Sequence, residues 1–383
     1  MAAWRIEFLA TAPVEETSSG LSRVVWQLAS SLGALGHRVR VLYPAEAGAS
    51  LTPVRDVEAV PVPFRGAGRR PFARDIAIGR NATGLLDPNA DIVVGNDEKA
   101  GAIGPLGAGR AGRPVFAMFV HDVALHTFDT LRPLEPGRGL RQRLGNWVDR
   151  RALARLEGSA LDRARVVFAG SELNRRLLRQ YYRVASDRVT ILPLGVPDPL
   201  DVGSREDARR ALRIPLDVPV VAFLGRTPER QGLPIALDAF RRIRVLFPGA
   251  RCVVAGSSVP TEPGVLSLGP VDETTKARVL RAADVFLFPT RYEGFGLAPR
   301  EAMRYGVPAV VSAHLPLDGI DTKSAVRVVP SDDPGAYASE LAELFADPAL
   351  RRAIGEAGKR YADDFSFDRM ADRFETAIGP LLA

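Results

Sequence analysis

Apolar and polar positions follow one another along this chain in two rhythms. Short runs rich in Val, Ile, Leu and Phe are followed by longer stretches in which apolar residues return every three or four positions. The first rhythm is that of a buried strand and the second that of an amphipathic helix, so the chain reads as repeated βα units around parallel sheets, an α/β protein.

Strands are expected at 5–10, 38–43, 91–94, 115–120 and 165–169, with helices at 22–35 and 171–182 among their connections. The pattern then returns, with strands at 220–224, 251–255, 285–288 and 309–312 and helices near 234–247 and 273–282. Residues 191–219 break both rhythms and hold five prolines, which places a domain boundary there. Residues 1–195 are expected to form one Rossmann-like domain, 196–365 a second, and 366–383 a helix returning to the first. Two such domains would face one another across a cleft. Residues 65–80 and 133–139 read as exposed loops and 101–113 as a Gly- and Ala-rich connector. Residues 140–165 read as a helix with Leu140, Leu144, Trp147, Val148 and Leu156 on one side and many arginines elsewhere. That stripe is expected to pack on its own domain, the alternative being a membrane surface.

Composition narrows the class. A chain of 383 residues exceeds what one core usually organises, and 46% hydrophobic with 25% charged residues is a globular profile. No apolar run is long enough to span a bilayer, and the first ten residues lack the basic flank of a secretory signal, so the cytoplasm is the expected location. Cys252 is the sole cysteine and sits in an apolar strand, which predicts a buried, inert thiol. The net charge of +6 is uneven: residues 1–195 carry 27 Lys and Arg against 19 Asp and Glu, leaving 24 against 26 for the rest. Most of the cations are arginine, as a compositional bias would produce. A basic N-terminal half would also suit an anionic lipid surface or an acidic acceptor; nucleic acid is not expected.

The segment 285–312, VFLFPTRYEGFGLAPREAMRYGVPAVVS, carries the most chemistry. A strand ends, a glycine-bearing loop follows, and a helix opens with Pro299 at its first position and closes before Gly306. Glu293 then lies beyond a strand's carboxyl end and Glu301 in the first helical turn, where both could face one pocket. Gly294 and Gly296, flanking Phe295 and followed by Leu297, would let the backbone approach a ligand closely. A carboxylate can take both hydroxyls of a vicinal diol, so two acids could hold the two sugar rings of a sugar nucleotide. Taken singly, Glu293 could be a solvated loop acid and Glu301 a helix-start charge.

The EGFG and EAM elements, with seven residues between the two acids, resemble those of glycosyltransferase family 4, whose fold is GT-B: two Rossmann-like domains around a central cleft. The resemblance runs over most of the chain and is specific in this segment. It implies that Glu293 contacts the hydroxyls of the donor sugar, that Glu301 holds the ribose, and that transfer from a nucleotide diphosphate sugar is retaining, without cofactor or metal. Arg226, just past the strand 220–224, resembles the family's phosphate-binding arginine. The family lysine five residues on is replaced by Gln231, with Arg230 beside it. Gly20, after Ser19, corresponds to the family's paired-glycine loop, and His121, after the strand 115–120, to a histidine near the reaction centre. Asp122 would orient His121 or cap the next turn. Ser171 reads as a helix N-cap, and Val271 falls where the family's backbone meets the base. Catalysis is thus expected from His121, Arg226 and Glu293, with a glycan, lipid-linked or small-molecule acceptor and a peripheral membrane contact through the basic half. Gln231 also motivates another reading, a sugar-nucleotide-binding protein with weak or lost transfer; a GT-B epimerase or phosphorylase is a third.

Overall fold

The computed structural model describes residues 3–10, 20–45, 54–64, 73–96, 98–103, 114–131 and 140–382. The chain divides into two compact units, one made of 1–195 with 367–383 and the other of 196–366.

The first unit holds a seven-stranded parallel sheet. Its strands are β1 (Arg5–Leu9), β2 (Arg38–Ala45), β3 (Val57–Pro63), β4 (Ile92–Asn96), β5 (Val115–Val120), β6 (Val166–Ala169) and β7 (Val189–Ile191), in the order β3-β2-β1-β4-β5-β6-β7. β4 and β5 are buried at every position, as central strands covered on both faces must be. Strand order reverses between β1 and β4, and the carboxyl ends at such a switch point are where open sheets receive ligands. The helix Gly20–Ala34 buries Val24, Val25, Leu28 and Leu32. The last helix, Phe367–Leu382, also belongs to this unit. Its Phe374 ring lies 6.0 Å from Phe8 and 5.3 Å from Phe168. Nδ1 of His37 accepts from the Trp4 amide at 3.0 Å, so Nε2 donates to Glu375 at 2.8 Å.

The second unit repeats this plan. β8 (Val220–Leu224), β9 (Arg251–Ala255), β10 (Val265–Gly269), β11 (Val285–Phe288), β12 (Ala309–Ser312) and β13 (Arg327–Val329) form a parallel sheet ordered β10-β9-β8-β11-β12-β13, with its switch point between β8 and β11. Phe223, Phe286 and Phe288 fill the core. Cys252 is buried among them, and burial pushes its thiol up to about 12, so it is the inert thiol its setting in the sequence implied.

Several local expectations are corrected. Residues 73–80, read as part of a loop, belong to the helix Ala73–Thr83, with Asp75 in its first turn and Arg80 in its last, both suited to the helix dipole. Residues 65–72, 104–113 and 133–139 of the expected loops, and Ser19, lie outside the described residues. The helix Leu140–Arg163 is present, but three residues of its expected apolar stripe do not pack: Leu144, Trp147 and Val148 are 64%, 54% and 45% exposed, whereas Leu156 is half-buried and the Leu140 side chain lies outside the described residues. Leu153, Ala160 and Leu161 face inward instead, because they recur on the opposite side of the helix. The Arg151 guanidinium lies 4.4 Å over the Trp147 ring. Among the described residues no helix is long and apolar enough to cross a membrane.

Candidate active site

The two loops of the second unit's switch point meet at one carboxylate oxygen. Beyond β8 the chain turns at Gly225, leaves Arg226 exposed, and forms the single helical turn Pro228–Gln231. Gln231 folds back so that its Oε1 accepts from the Thr227 amide at 3.0 Å, and its Nε2 donates to Glu293 Oε1 at 3.2 Å. A terminal guanidinium nitrogen of Arg230 lies 3.4 Å from the same oxygen. A Cβ at position 225 would lie 2.5 Å from the Gln231 side-chain oxygen and 2.8 Å from the Phe223 ring, so a larger residue there would push Gln231 out of its fold-back. Glu293 reaches this point from the loop after β11, tied to the other loop by the Arg291 amide, which donates to the Arg230 carbonyl at 2.8 Å. The Arg230 and Glu293 side chains are 14% and 12% exposed, partly shielded from water, where an ion pair is stronger than on an open surface.

Gly296 ends the EGFG loop at φ +80°, and a Cβ there would strike Leu315, so both conformation and space demand glycine. The helix that follows is Leu297–Arg304, two residues earlier than the sequence placed it. Pro299 is therefore its third residue, still among amides without an intrahelical acceptor, and Glu301 opens the second turn. Gly306 takes φ +74° just past the helix, as the sequence implied. Glu301 is nearly buried, its Oε2 2.6 Å from Lys276 Nζ. Lys276 belongs to the helix Glu273–Ala282, capped by Asp272, whose Oδ1 accepts from the Thr275 amide at 2.6 Å. Val271 lies half-buried between β10 and that helix. Each acid thus has its own cationic partner, Arg230 for Glu293 and Lys276 for Glu301, and each carboxylate keeps lone pairs for further donors.

The EGFG loop is held from beneath by Arg300, which is 3% exposed. Its guanidinium donates to the carbonyls of Phe295, Gly296 at 3.3 Å and Pro316 at 3.0 Å, and to the Tyr361 hydroxyl at 2.9 Å. It also lies 4.1 Å from the Phe295 ring centroid. Nothing along the chain signals this role, because an arginine in a short helix ordinarily projects into water. Lys276 did leave a signal, as one of four lysines in a chain whose other cations are arginine.

In the first unit, His121 follows β5 and is 2% exposed. Its Nε2 lies 3.1 Å from Asn96 Oδ1, its ring is 4.4 Å from Phe119, and its carbonyl accepts from Asn174 Nδ2 at 2.8 Å. Ser171 is the N-cap expected of it, its Oγ accepting from the Asn174 amide at 3.2 Å. Burial lowers the imidazole to about 4 against a small opposing pull from Asp122, so the ring is neutral at pH 7. Gly20 is the first residue of its helix. Among the described residues no three His, Cys, Asp or Glu side chains gather as metal ligands would.

Residues 18–198 match the family model described as Glycosyltransferase Family 4, and residues 204–361 match Glycosyl transferases group 1. The chain belongs to glycosyltransferase family 4. This family 4 chain is 32% identical over 235 residues to a D-inositol 3-phosphate glycosyltransferase of Segniliparus rotundus, covering 56% of this chain and 52% of that enzyme, about half its length. It is 28% identical over 364 residues to a phosphatidyl-myo-inositol mannosyltransferase of Mycolicibacterium smegmatis, covering 90% of this chain and 86% of the other. Its fold matches sucrose-phosphate synthase from Thermosynechococcus elongatus with a TM-score of 0.78 and 20% identity over 99% of each chain. The family 4 chain is thus a glycosyltransferase of GT-B fold with a nucleotide-sugar donor.

Proposed function

We propose that this enzyme is a retaining glycosyltransferase that moves a sugar from a nucleoside diphosphate onto the hydroxyl of an inositol-bearing acceptor, free or lipid-linked. The observation that carries the donor side is the convergence of Arg230 and Gln231 on Glu293 at the switch point of the second sheet. Glu293 would receive the vicinal hydroxyls of the transferred sugar, and Glu301, steadied by Lys276, the ribose diol. Arg226 and Arg230 would meet the diphosphate, and their positive charge would stabilise it as it departs. Neutral His121 would accept from a substrate hydroxyl, and no protein nucleophile is required. The inositol acceptor is drawn from the activities named for the two enzymes similar in sequence.

The reading extends to place. Exposed Leu144, Trp147 and Val148, beside exposed Arg151 and Arg155 on one helix face, would suit the cytoplasmic surface of an anionic membrane. The test is a panel of UDP-, GDP- and ADP-sugars screened by thermal shift, followed by transfer to inositol phosphate and to phosphatidylinositol. The anomeric configuration of the product, read by NMR, should equal that of the donor; inversion would refute the retaining assignment.

Gln231 also motivates a second reading, in which the protein binds a sugar nucleotide without transferring it. Arg230 weakens that reading, since it brings a permanent cation to the oxygen beside which the family lysine would stand. Binding with no turnover on any acceptor would restore it.

A further inference from the structure

The neighbourhood of His121 fixes more than the position of the ring. Asn96, the last residue of β4, is fully buried, and its Nδ2 donates to the carbonyl of Leu9 at the end of β1, 2.8 Å away. Because that carbonyl can only accept, the amide cannot be turned over without setting two acceptors against each other in a dry interior. Oδ1 of Asn96 must therefore face Nε2 of His121, and the 3.1 Å between them has to be bridged by a proton on Nε2. The remaining nitrogen, Nδ1, is buried and has no hydrogen-bond partner among the described residues. The ring around it is held at three points, by Asn96, by the Phe119 ring and through the Asn174 bond to the His121 carbonyl.

We infer that Asn96 is a positioning residue that sets His121 in its Nε2–H tautomer, leaving Nδ1 as a bare acceptor for a substrate hydroxyl. The tautomer follows from the hydrogen bonds alone, while its use toward a hydroxyl rests on the function proposed above. With its one proton committed to Asn96, a ring fixed in this way cannot donate from Nδ1. The group it serves must bring its own proton, so a hydroxyl is taken where a fluorine or hydrogen in its place leaves the buried lone pair unpaired. Serving as an acceptor also requires the ring to stay uncharged, which its enclosure secures. Asp122, next in the chain, is the charged group whose field reaches it.

The test uses the full chain labelled with 15N-histidine. Only four histidines are present, so long-range 1H–15N spectra are simple, and the set missing from His121→Gln identifies the signal. Wild type at pH 7 should show a single neutral Nε2–H tautomer at His121; an Nδ1–H form, a mixture or an imidazolium would overturn the proposal. Asn96→Leu, which keeps the volume but removes the acceptor, should release Nδ1–H tautomer and lower kcat/KM roughly tenfold, the scale of one lost hydrogen bond. An unchanged tautomer in that variant would overturn it as well. Titrating wild type with UDP-glucose, GDP-mannose and inositol 3-phosphate, and following the Nδ1 resonance, tells whether the hydroxyl belongs to donor or acceptor. Movement with none of them defeats the role toward a hydroxyl. Lack of turnover with every sugar nucleotide would defeat the transferase reading and leave the spectroscopic answer standing.

Discussion

Arg300 stacks on Phe295 and donates to the same residue's carbonyl, so one guanidinium holds both the side chain and the backbone of the loop that carries Glu293. Phe365 and Tyr361 close around the guanidinium from the end of the second unit, at 5.5 and 5.6 Å. Positive charge is thereby used as mortar under a loop that must itself present negative charge.

Replacing Arg300 by Leu should destabilise the second unit by about 1–3 kcal/mol, since the Pro316 and Gly296 carbonyls lose their donor in a buried setting. Arg300→Lys should restore only part of this, because an ammonium cannot reach several divergent carbonyls from one plane. Urea midpoints of the two variants decide the order; equal midpoints would exclude the forked role.

For the proposed donor site, Glu293→Ala should keep wild-type stability and lose at least about 100-fold in kcat, the range expected when a transition-state contact goes. Arg230→Ala should cost about tenfold in kcat/KM, one charge-assisted contact. Gln231→Lys alone should change little, because a cation already stands there, yet it should rescue Arg230→Ala. Steady-state kinetics on the two single variants and the double variant check this, and an additive result would remove Arg230 from the role of the family lysine.

The pH dependence of stability should carry two opposing signatures in the first unit. His121 is lowered to about 4, so the unfolded chain binds the extra proton below its ordinary value near 6.5. Stability should fall as pH drops from about 6.5 to 4, by about 3 kcal/mol, and level out below. Glu7, buried beside Arg40 and 2.8 Å from it, is raised by burial to about 7. Here the folded state holds the proton, so stability should fall as pH rises from about 4.5 to 7. Denaturation across pH should show the first slope abolished in His121→Asn and the second abolished in Glu7→Gln.

The proposed membrane contact has a built-in reporter. Trp4 and Trp26 are 9% and 1% exposed, whereas Trp147 is 54% exposed, so a fluorescence change on adding vesicles should come from Trp147. A blue shift is expected with phosphatidylglycerol vesicles, weaker with phosphatidylcholine, and absent after Trp147→Ser with Leu144→Ser. A shift that depends on protein concentration without vesicles would point to self-association instead.

How legible all this was depended on how much neighbouring structure each residue needs. The strands seen in the apolar rhythm are the inner ones. Those it passed over, β3, β7, β10 and β13, are the outer strands of the two sheets. An edge strand has one partner and one dry side at most, so it can carry Pro61 and Pro63, as β3 does, or an exposed serine at 267, as β10 does. At the site, local chain geometry was enough to read the glycine turns at Gly296 and Gly306 and the cap at Ser171, while Glu293, Glu301, Arg226 and His121 were named from the motifs they share with the family. Asn96, Lys276 and Arg300 escaped notice because each acts on a partner in another element, and nothing in a side chain's own neighbourhood along the chain records that.

The chain leaves its first unit at Gly195 and comes back to it at Phe367, so the unit that carries Glu293 is an insertion within the other. A stop codon after residue 366 would strip Phe374 from Phe8 and Phe168 and leave His37 without Glu375, injuring the end of the molecule most distant from it in sequence. The middle segment, by contrast, begins and ends within a single body, Val196 donating to the Phe365 carbonyl at 2.7 Å, so its two ends are joined to each other and the same loss leaves both in place.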